Sequence, residues 1–396
     1  MNKKNKVVYF DNNATTAVAP EVFEAMKPYL TEFYGNPSSM YYFGGRVGQA
    51  LDKARAQIAD LLGSSFIDPK GKHSEIIFTS CGTESDNTAI LSALQTCPKR
   101  NKIIVSKVEH PAVLNVAKEL ERRNIKVGYV PVDSKGRIDL QRLEEMVDED
   151  TALVSVMWAN NEIGNIYPVQ QIAEIAHNYG ALFHTDAVQA VGKVPFSLDD
   201  MDIDMLSLSG HKLHAPKGIG VLYVKRGIRF RPFMVGGHQE KSRRGGTENV
   251  GGIVALGRAC ELAKANMEYE NTVVKALRDR LEKGILERVP STRANGDLEH
   301  RLPNTSSISF DFIEGEAILM MLDEFGICAS SGSACTTGSL EPSHVLRSMG
   351  IPYTAAHGTV RFSLSCYNTE EEVDYVIDKI PAVIETLRKM SPYWNR

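Results

Sequence analysis

The sequence predicts an α/β protein in which a mostly parallel sheet wrapped by helices is followed by a smaller α+β unit, and three observations carry that prediction. From about Glu75 to Lys225, short β-branched runs alternate with helical patterns, the signature of a sheet covered on both faces. After Gly252 the pattern becomes a long helix in which Val274, Leu277, Leu281 and Ile285 recur three and four residues apart and form one apolar stripe. Ser306 to Phe310 and Thr359 to Leu364 then read as strands of a second unit. Within the first stretch the strands are Ile76 to Thr79, Lys102 to Ser106, Val127 to Val132, Ala152 to Trp158, Ala181 to Thr185, Met205 to Ser209 and Gly220 to Val224. Pro168 and Pro342 suit first-turn helix positions, and Asp139 and Thr369 suit the caps of the helices they precede.

Composition narrows the function classes. The chain has 396 residues, enough to bury a large core, and 45 Lys plus Arg against 49 Asp plus Glu leave a net charge of −4. Such a balance gives no overall field for nucleic acid or an anionic membrane. No apolar stretch approaches the ~20 residues of a membrane span, and the basic start runs directly into Asp11-Asn-Asn, so a cytoplasmic protein is expected. The six cysteines, at 81, 97, 260, 328, 335 and 366, lack C-x-x-C spacing, which argues against a disulfide framework or structural zinc.

The chemistry concentrates at strand ends. Lys212, in Ser207-Leu-Ser-Gly-His-Lys, follows His184-Thr-Asp186-Ala-Val-Gln189 by 26 residues. Each alone would be a solvated lysine or an aspartate starting a turn. Together, at the carboxyl ends of two strands, they pair an amine nucleophile with a carboxylate that can keep a pyridine nitrogen protonated, as pyridoxal phosphate chemistry requires. Thr79-Ser-Cys-Gly82-Thr83-Glu-Ser85 follows a strand and offers backbone N–H groups and hydroxyls for a phosphate, or else an ordinary helix cap. Ser209 and His211 can donate to the same phosphate. Gln189 can reach the ring's phenolic oxygen, Asn161 ends at the same sheet edge, and His110 can stack on the ring or move protons.

On these residues the chain resembles a cysteine desulfurase of the class V aminotransferase family, group I, with its nearest likeness to the NifS-type enzymes within the NifS/IscS family. The resemblance runs from Tyr9-Phe-Asp-Asn-Asn-Ala-Thr-Thr16 and Tyr34-Gly-Asn-Pro-Ser-Ser39 to Val360-Arg-Phe-Ser-Leu364, and its most specific parts are Ser-Gly-His-Lys212 and Ser-Ser-Gly-Ser-Ala-Cys335. It implies fold type I of the pyridoxal phosphate transferases, with a large domain over 17–262 and a small domain over 1–16 and 263–396 that carries the cysteine loop, about 328–340. It further implies that Lys212 is the Schiff-base lysine, Asp186 the pyridinium partner, Gln189 the phenolate partner and His110 the stacking acid/base. Gly82, Thr83, Ser209 and His211 would hold the phosphate, with Thr247 reaching it from the other subunit of a homodimer. Arg361, helped by Asn161, would bind the substrate carboxylate.

The implied reaction converts L-cysteine to L-alanine and a persulfide on Cys335, passed to an iron–sulfur scaffold or another sulfur-acceptor protein. A run of small residues around Cys335 suits a nucleophile that must reach a cofactor and then turn outward. Cys81, at a helix start, is a poorer sulfur carrier. A selenocysteine lyase or small-substrate aminotransferase of the same fold would use Lys212 and Asp186 without depending on Cys335. Metal or hydrolase readings of His211-Lys-Leu-His214 lack any H-E-x-x-H or G-x-S-x-G support, so no metal is expected. The chain departs from the family pattern in a longer segment from Ser64 to Ser74 and in a short C-terminus after Trp394.

Overall fold

The computed structural model describes residues 7–68, 70, 72–331 and 342–394. In chain order its strands are β1 (Val8–Tyr9), β2 (Ile76–Thr79), β3 (Lys102–Ser106), β4 (Lys126–Val130), β5 (Thr151–Ser155), β6 (Leu182–Asp186), β7 (Met205–Ser209), β8 (Gly220–Val224), β9 (Thr292–Ala294), β10 (Thr305–Phe310), β11 (Ile327–Cys328), β12 (Ser330–Ser331) and β13 (Thr359–Ser363). Seven of them form one sheet in the order β2-β8-β7-β6-β5-β3-β4. Only β8 runs antiparallel to its neighbours there. Strands β5, β7 and β8 are buried at every residue, and β8, Gly-Val-Leu-Tyr-Val, accordingly reads as an unbroken apolar run, while the serines of β5 and β7 are buried with their apolar neighbours.

One apolar core lies on each face of this sheet. A third core fills the smaller unit, where β12-β13-β10-β9 form an antiparallel sheet packed by the helices Lys275–Arg288 and Glu370–Met390. The expected stripe Val274, Leu277, Leu281 and Ile285 faces this core. The helix carrying it is not continuous from Gly252: Val250–Ala265 ends at Asn266, and a π turn at Glu270–Val274 precedes Lys275–Arg288. The N-terminal segment stitches the units together. β1 pairs with β11, Asp11 bridges to Ser363, and the N–H of Thr16 donates to the His211 carbonyl at 3.0 Å.

Most strand boundaries fall within a residue or two of those read from the sequence. The run predicted to Trp158 leaves β5 at Ser155, yet the N–H groups of Val156 and Trp158 still donate to the His184 and Asp186 carbonyls. Two proline readings are corrected: Pro168 is the N-cap of Val169–Asn178 rather than part of its first turn, and Pro342 lies one residue before the cap Ser343. Pro342 is displaced because Ser343 caps its helix, accepting from the Val345 N–H at 3.1 Å, whereas Pro168 takes the cap position itself with no side-chain hydrogen bond. Among the described residues no helix is long and apolar enough to cross a membrane.

Thr369 caps Glu370–Met390 in a capping box with Glu372, as its sequence position suggests. Replacing it by alanine should lower unfolding free energy by about 1 kcal/mol in a denaturant titration, with Thr369→Ser close to wild type.

Candidate active site

The carboxyl ends of β2, β3, β5, β6 and β7 open on one edge of the large sheet, where ligands of parallel α/β folds are received. After β2 the chain turns sharply into the helix Gly82–Thr96, whose N-cap Cys81 supplies no side-chain hydrogen bond. The first-turn N–H groups therefore face outward as an anion cradle. Glu84 fixes this turn by accepting from the Ser80 N–H at 2.7 Å, and Arg244 donates to both of its oxygens, at 2.9 and 3.1 Å. A Cβ at Gly82 would come within 2.9 Å of Val188 and 3.5 Å of Ser209, so only glycine lets the turn nest between the loops after β6 and β7.

After β3, the His110 Nδ1 accepts from the Ala112 N–H at 3.1 Å, which leaves the ring proton on Nε2. Burial first, and Lys212 second, push this histidine down to about 4, so it is neutral at physiological pH. Glu109 beside it is fully buried and pushed up to about 8, although Ser106 and the Met157 N–H donate to it. After β5, Asn160 closes a turn that aims the Asn161 carbonyl at Arg361, whose Nη1 donates to it at 2.9 Å.

Asp186 is the last residue of β6, and its Oδ1 accepts from the Val188 N–H at 2.9 Å. Burial raises its pKa above the ordinary carboxylate range, with Lys212 opposing. Gln189, one turn on, donates to the Asn13 carbonyl at 3.0 Å, while its Oε1 is buried without a hydrogen-bond partner among the described residues. After β7, a 3₁₀ turn over Gly210–Lys212 presents His211 and Lys212. The Lys212 Nζ donates to the Asn13 and Ala14 carbonyls at 2.5 and 2.8 Å, and burial, followed by Arg361, lowers its pKa to about 8.

These residues line one cavity of about 310 Å³. It brings together ten of the residues named from sequence: Gly82, Thr83, His110, Asn161, Asp186, Gln189, Ser209, His211, Lys212 and Arg361. Thr247 is exposed and does not line it, and Cys335 lies outside the described residues. The smaller unit closes the cavity with Arg361 on β13 and Ser330 beside it on β12. Sequence reasoning assigned no role to Asp11, Asn13 or Asp86. Asp11 accepts from Arg361 Nη2 at 2.6 Å, Asn13 receives both Gln189 and Lys212, and the buried Asp86 lines the cavity with its Oδ1 3.7 Å from His184 Nε2 and without a hydrogen bond among the described residues. Asn13 stood in a quoted motif, but nothing local marked its carbonyl as a hub.

The donor set fits pyridoxal phosphate. An uncapped helix start with neighbouring hydroxyls and a turn at Gly82 too tight for a Cβ suit a dianion, and an amine and a buried carboxyl share the floor. Comparison with known proteins agrees. The chain matches the family described as aminotransferase class-V over residues 8–376. It is 59% identical to "Cysteine desulfurase 2" of Trichormus variabilis, covering 98% of this chain and 96% of that one. It is 58% identical to "Cysteine desulfurase NifS" of Azotobacter vinelandii, with 98% and 95% covered. Among solved structures, a NifS-like protein superposes with TM-score 0.89 at 42% identity, over 96% of this chain and all (100%) of that one. "SspA in complex with cysteine" superposes with TM-score 0.79 at 35% identity, over 91% and 99%.

Glu109 carries a pH signature. Its folded pKa near 8 lies above that of an unfolded glutamate, so folding retains a proton that unfolding releases, and this contribution to stability is lost as pH rises from about 4.5 through 8. Glu109→Gln should therefore reduce the fall in melting temperature between pH 5 and pH 8 by roughly 2 °C or more.

Proposed function

The chain belongs to the cysteine desulfurase branch of the class-V aminotransferase family, and from that premise we propose that it takes sulfur from L-cysteine, leaving L-alanine and a persulfide on Cys335 that supplies iron–sulfur cluster assembly. The observation that carries the proposal is the single cavity holding the Lys212 amine, the Asp186 carboxyl and, on its opposite unit, the Arg361 guanidinium. Amine, carboxyl and guanidinium are the groups needed to hold a cofactor aldehyde, a pyridinium and an amino-acid carboxylate.

Pyridoxal phosphate bound here supplies a carbonyl for amines and a ring that accepts the electron pair left when a substrate Cα–H bond breaks. Gly82, Thr83, Ser209 and His211 hold its phosphate, Asp186 its ring nitrogen and Gln189 its phenolic oxygen. Arg361 orients the cysteine carboxylate, its Nε being buried and unpartnered among the described residues, with Asn161 steadying the guanidinium. Lys212, lowered to about 8, is uncharged in roughly a tenth of molecules at pH 7 and takes the Cα proton. His110, neutral and bearing its proton on Nε2, is the second group able to move one. The Cys335 thiolate attacks the substrate sulfur; the new S–S bond forms as the S–Cβ bond breaks, and Cβ takes a proton to give alanine. Ser331 lines the cavity, and the four residues from it to Cys335 span at most about 14 Å, a reach that suits delivery of a thiolate.

The same reading makes the active unit a homodimer. Met40 and Tyr42 are 104% and 81% exposed, and Val235 is 86% exposed in the run leading to Thr247, an apolar display that suits burial against a second copy where Thr247 would reach the neighbouring phosphate. It also divides the chain into a large domain, 17–262, and a small one, 1–16 with 263–396, a division supported by the helix break at Asn266. Cytoplasmic residence and a sulfur-acceptor protein as partner complete the proposal.

Lys212→Ala should abolish alanine formation from cysteine, and retained turnover would remove the lysine from its role. Cys335→Ser should still take up the cofactor, seen as a visible absorbance band, but lose more than about 100-fold in alanine production, since an alcohol is a poor nucleophile toward sulfur. Mass spectrometry of wild-type protein after brief exposure to cysteine should find one added sulfur on the peptide carrying Cys335. Full turnover in Cys335→Ser would favour the lyase or aminotransferase alternative.

A further inference from the structure

The turn that would receive the phosphate carries an acid of its own. Glu84 lies in the first turn of Gly82–Thr96, is 8% exposed, and folds back to accept from the Ser80 N–H at 2.7 Å. A carboxylate in that place competes with a bound anion for the positive end of the helix. Arg244 meets it with a fork, Nε to Oε1 at 2.9 Å and Nη2 to Oε2 at 3.1 Å. Burial acts to raise the Glu84 pKa, but Arg244 and Ser80 together outweigh it and hold the carboxyl below its ordinary range.

The loop that carries Arg244 is itself braced. The Gly245 N–H donates to the Met234 carbonyl at 2.9 Å, and a Cβ on Gly245 would lie 2.6 Å from the Gly236 Cα, so the two ends of the loop touch through glycine backbone. Between them Glu240, Lys241 and Ser242 have φ of 48°, 58° and 64°, a left-handed run without glycine that persists only where its surroundings fix it. Ion pairs do so. Glu240 takes the Arg55 fork at 2.9 and 2.7 Å and accepts from the Phe78 N–H at 3.0 Å, and Lys241 pairs with Asp68 from the long segment Ser64 to Ser74. Because β2 is an edge strand of the large sheet, Glu240 fills a free N–H of the very strand that runs into the cradle. The loop thus grips the turn from both sides, at Phe78 before it and at Glu84 after it.

We infer that Arg244 is a positioning residue for the cofactor phosphate of its own subunit: its guanidinium cancels the Glu84 charge at the cradle and keeps that carboxylate bound to the turn. Without it a buried carboxylate would share one helix end with a phosphate dianion, and like charges in a water-poor space repel strongly. The neighbouring charges do not substitute for it. Arg55 is taken by Glu240 and Lys241 by Asp68, while Arg243 donates through Nε to the Glu240 carbonyl at 3.2 Å.

The inference rests on the reading of the cavity as a pyridoxal phosphate site, and its test reads binding rather than turnover. Full-length protein freed of cofactor is titrated with pyridoxal phosphate and, separately, with pyridoxal, which lacks the phosphate, each followed by the visible absorbance of the bound form. Arg244→Gln should bind pyridoxal phosphate about tenfold or more weakly than wild type, with pyridoxal affinity unchanged within about twofold. Glu84→Gln combined with Arg244→Gln removes the charge yet leaves an amide oxygen for the Ser80 N–H. That double variant should return pyridoxal phosphate affinity to within about threefold of wild type, which an arginine serving only to steer the nearby Thr247 would not allow. Should Arg244→Gln not fold, Glu84→Gln alone reads the same charge and should bind pyridoxal phosphate at least as tightly as wild type. Wild-type affinity in Arg244→Gln, equal weakening of both ligands, a double variant no better than the single one, or weaker pyridoxal phosphate binding by Glu84→Gln would each overturn the role given to Arg244. Failure of the cofactor reading itself would show differently, as wild-type protein that develops no absorbance band with either ligand, and would take this inference with it.

Discussion

The segment Asp11–Thr16 crosses between the two units, and its backbone carbonyls and short side chains hold both walls of the cavity. Asn13 receives the Gln189 amide and the Lys212 amine on its carbonyl, and its side chain donates to the Asn161 carbonyl at 3.1 Å and to Thr305 Oγ1 at 2.8 Å. Asp11 engages Arg361, and Thr16 is bonded to His211 through both backbone and hydroxyl. A lysine, an arginine and a glutamine drawn from three distant stretches acquire a common geometry through these few residues. Each contact is modest alone, but the donors are buried or charged, where leaving one unmade costs about 1–3 kcal/mol.

Burial then decides which protonation states the site holds. Asp86, Glu109 and Asp186 are raised, His110, His184 and His211 are lowered, and Lys212 and Lys193 are lowered, in every case with desolvation as the largest cause. His184 is held neutral among Ser155, Ser207 and Asp86, with its Nδ1 2.8 Å from the first hydroxyl and its Nε2 2.9 Å from the second. A cavity that disfavours charge suits proton transfer, because groups with ordinarily distant pKa values are brought toward one another and toward neutrality.

The large sheet was legible because its strands are short, doubly buried and rich in β-branched residues, and because Asp186 ends such a strand while Gly82 and Lys212 each follow one by three residues. The cavity's partners from the smaller unit were legible only through resemblance: nothing around Arg361 in the sequence announces that it faces Asn161, 200 residues away, or Asp11, 350 away. Asp86 reads locally as an ordinary polar residue of a helix's second turn, and the fold buries it beside Asp186 instead. Pro168 and Pro342 misled because proline is equally content one or two residues before a helix. The π turn left no trace, since a single added residue does not disturb a three-to-four residue apolar stripe.

The 350-residue separation of Asp11 from Arg361 has a consequence for biosynthesis. A ribosome adding about 5–20 residues per second finishes β8, and with it the lysine cradle, roughly 7–27 s before Arg361 leaves the exit tunnel. During that interval the nascent chain presents the Lys212 amine without Arg361 opposite it. The part of the cavity built on the large sheet can therefore form before release from the ribosome, whereas the Asp11–Arg361 pair forms only when β13 docks beside the N-terminal segment.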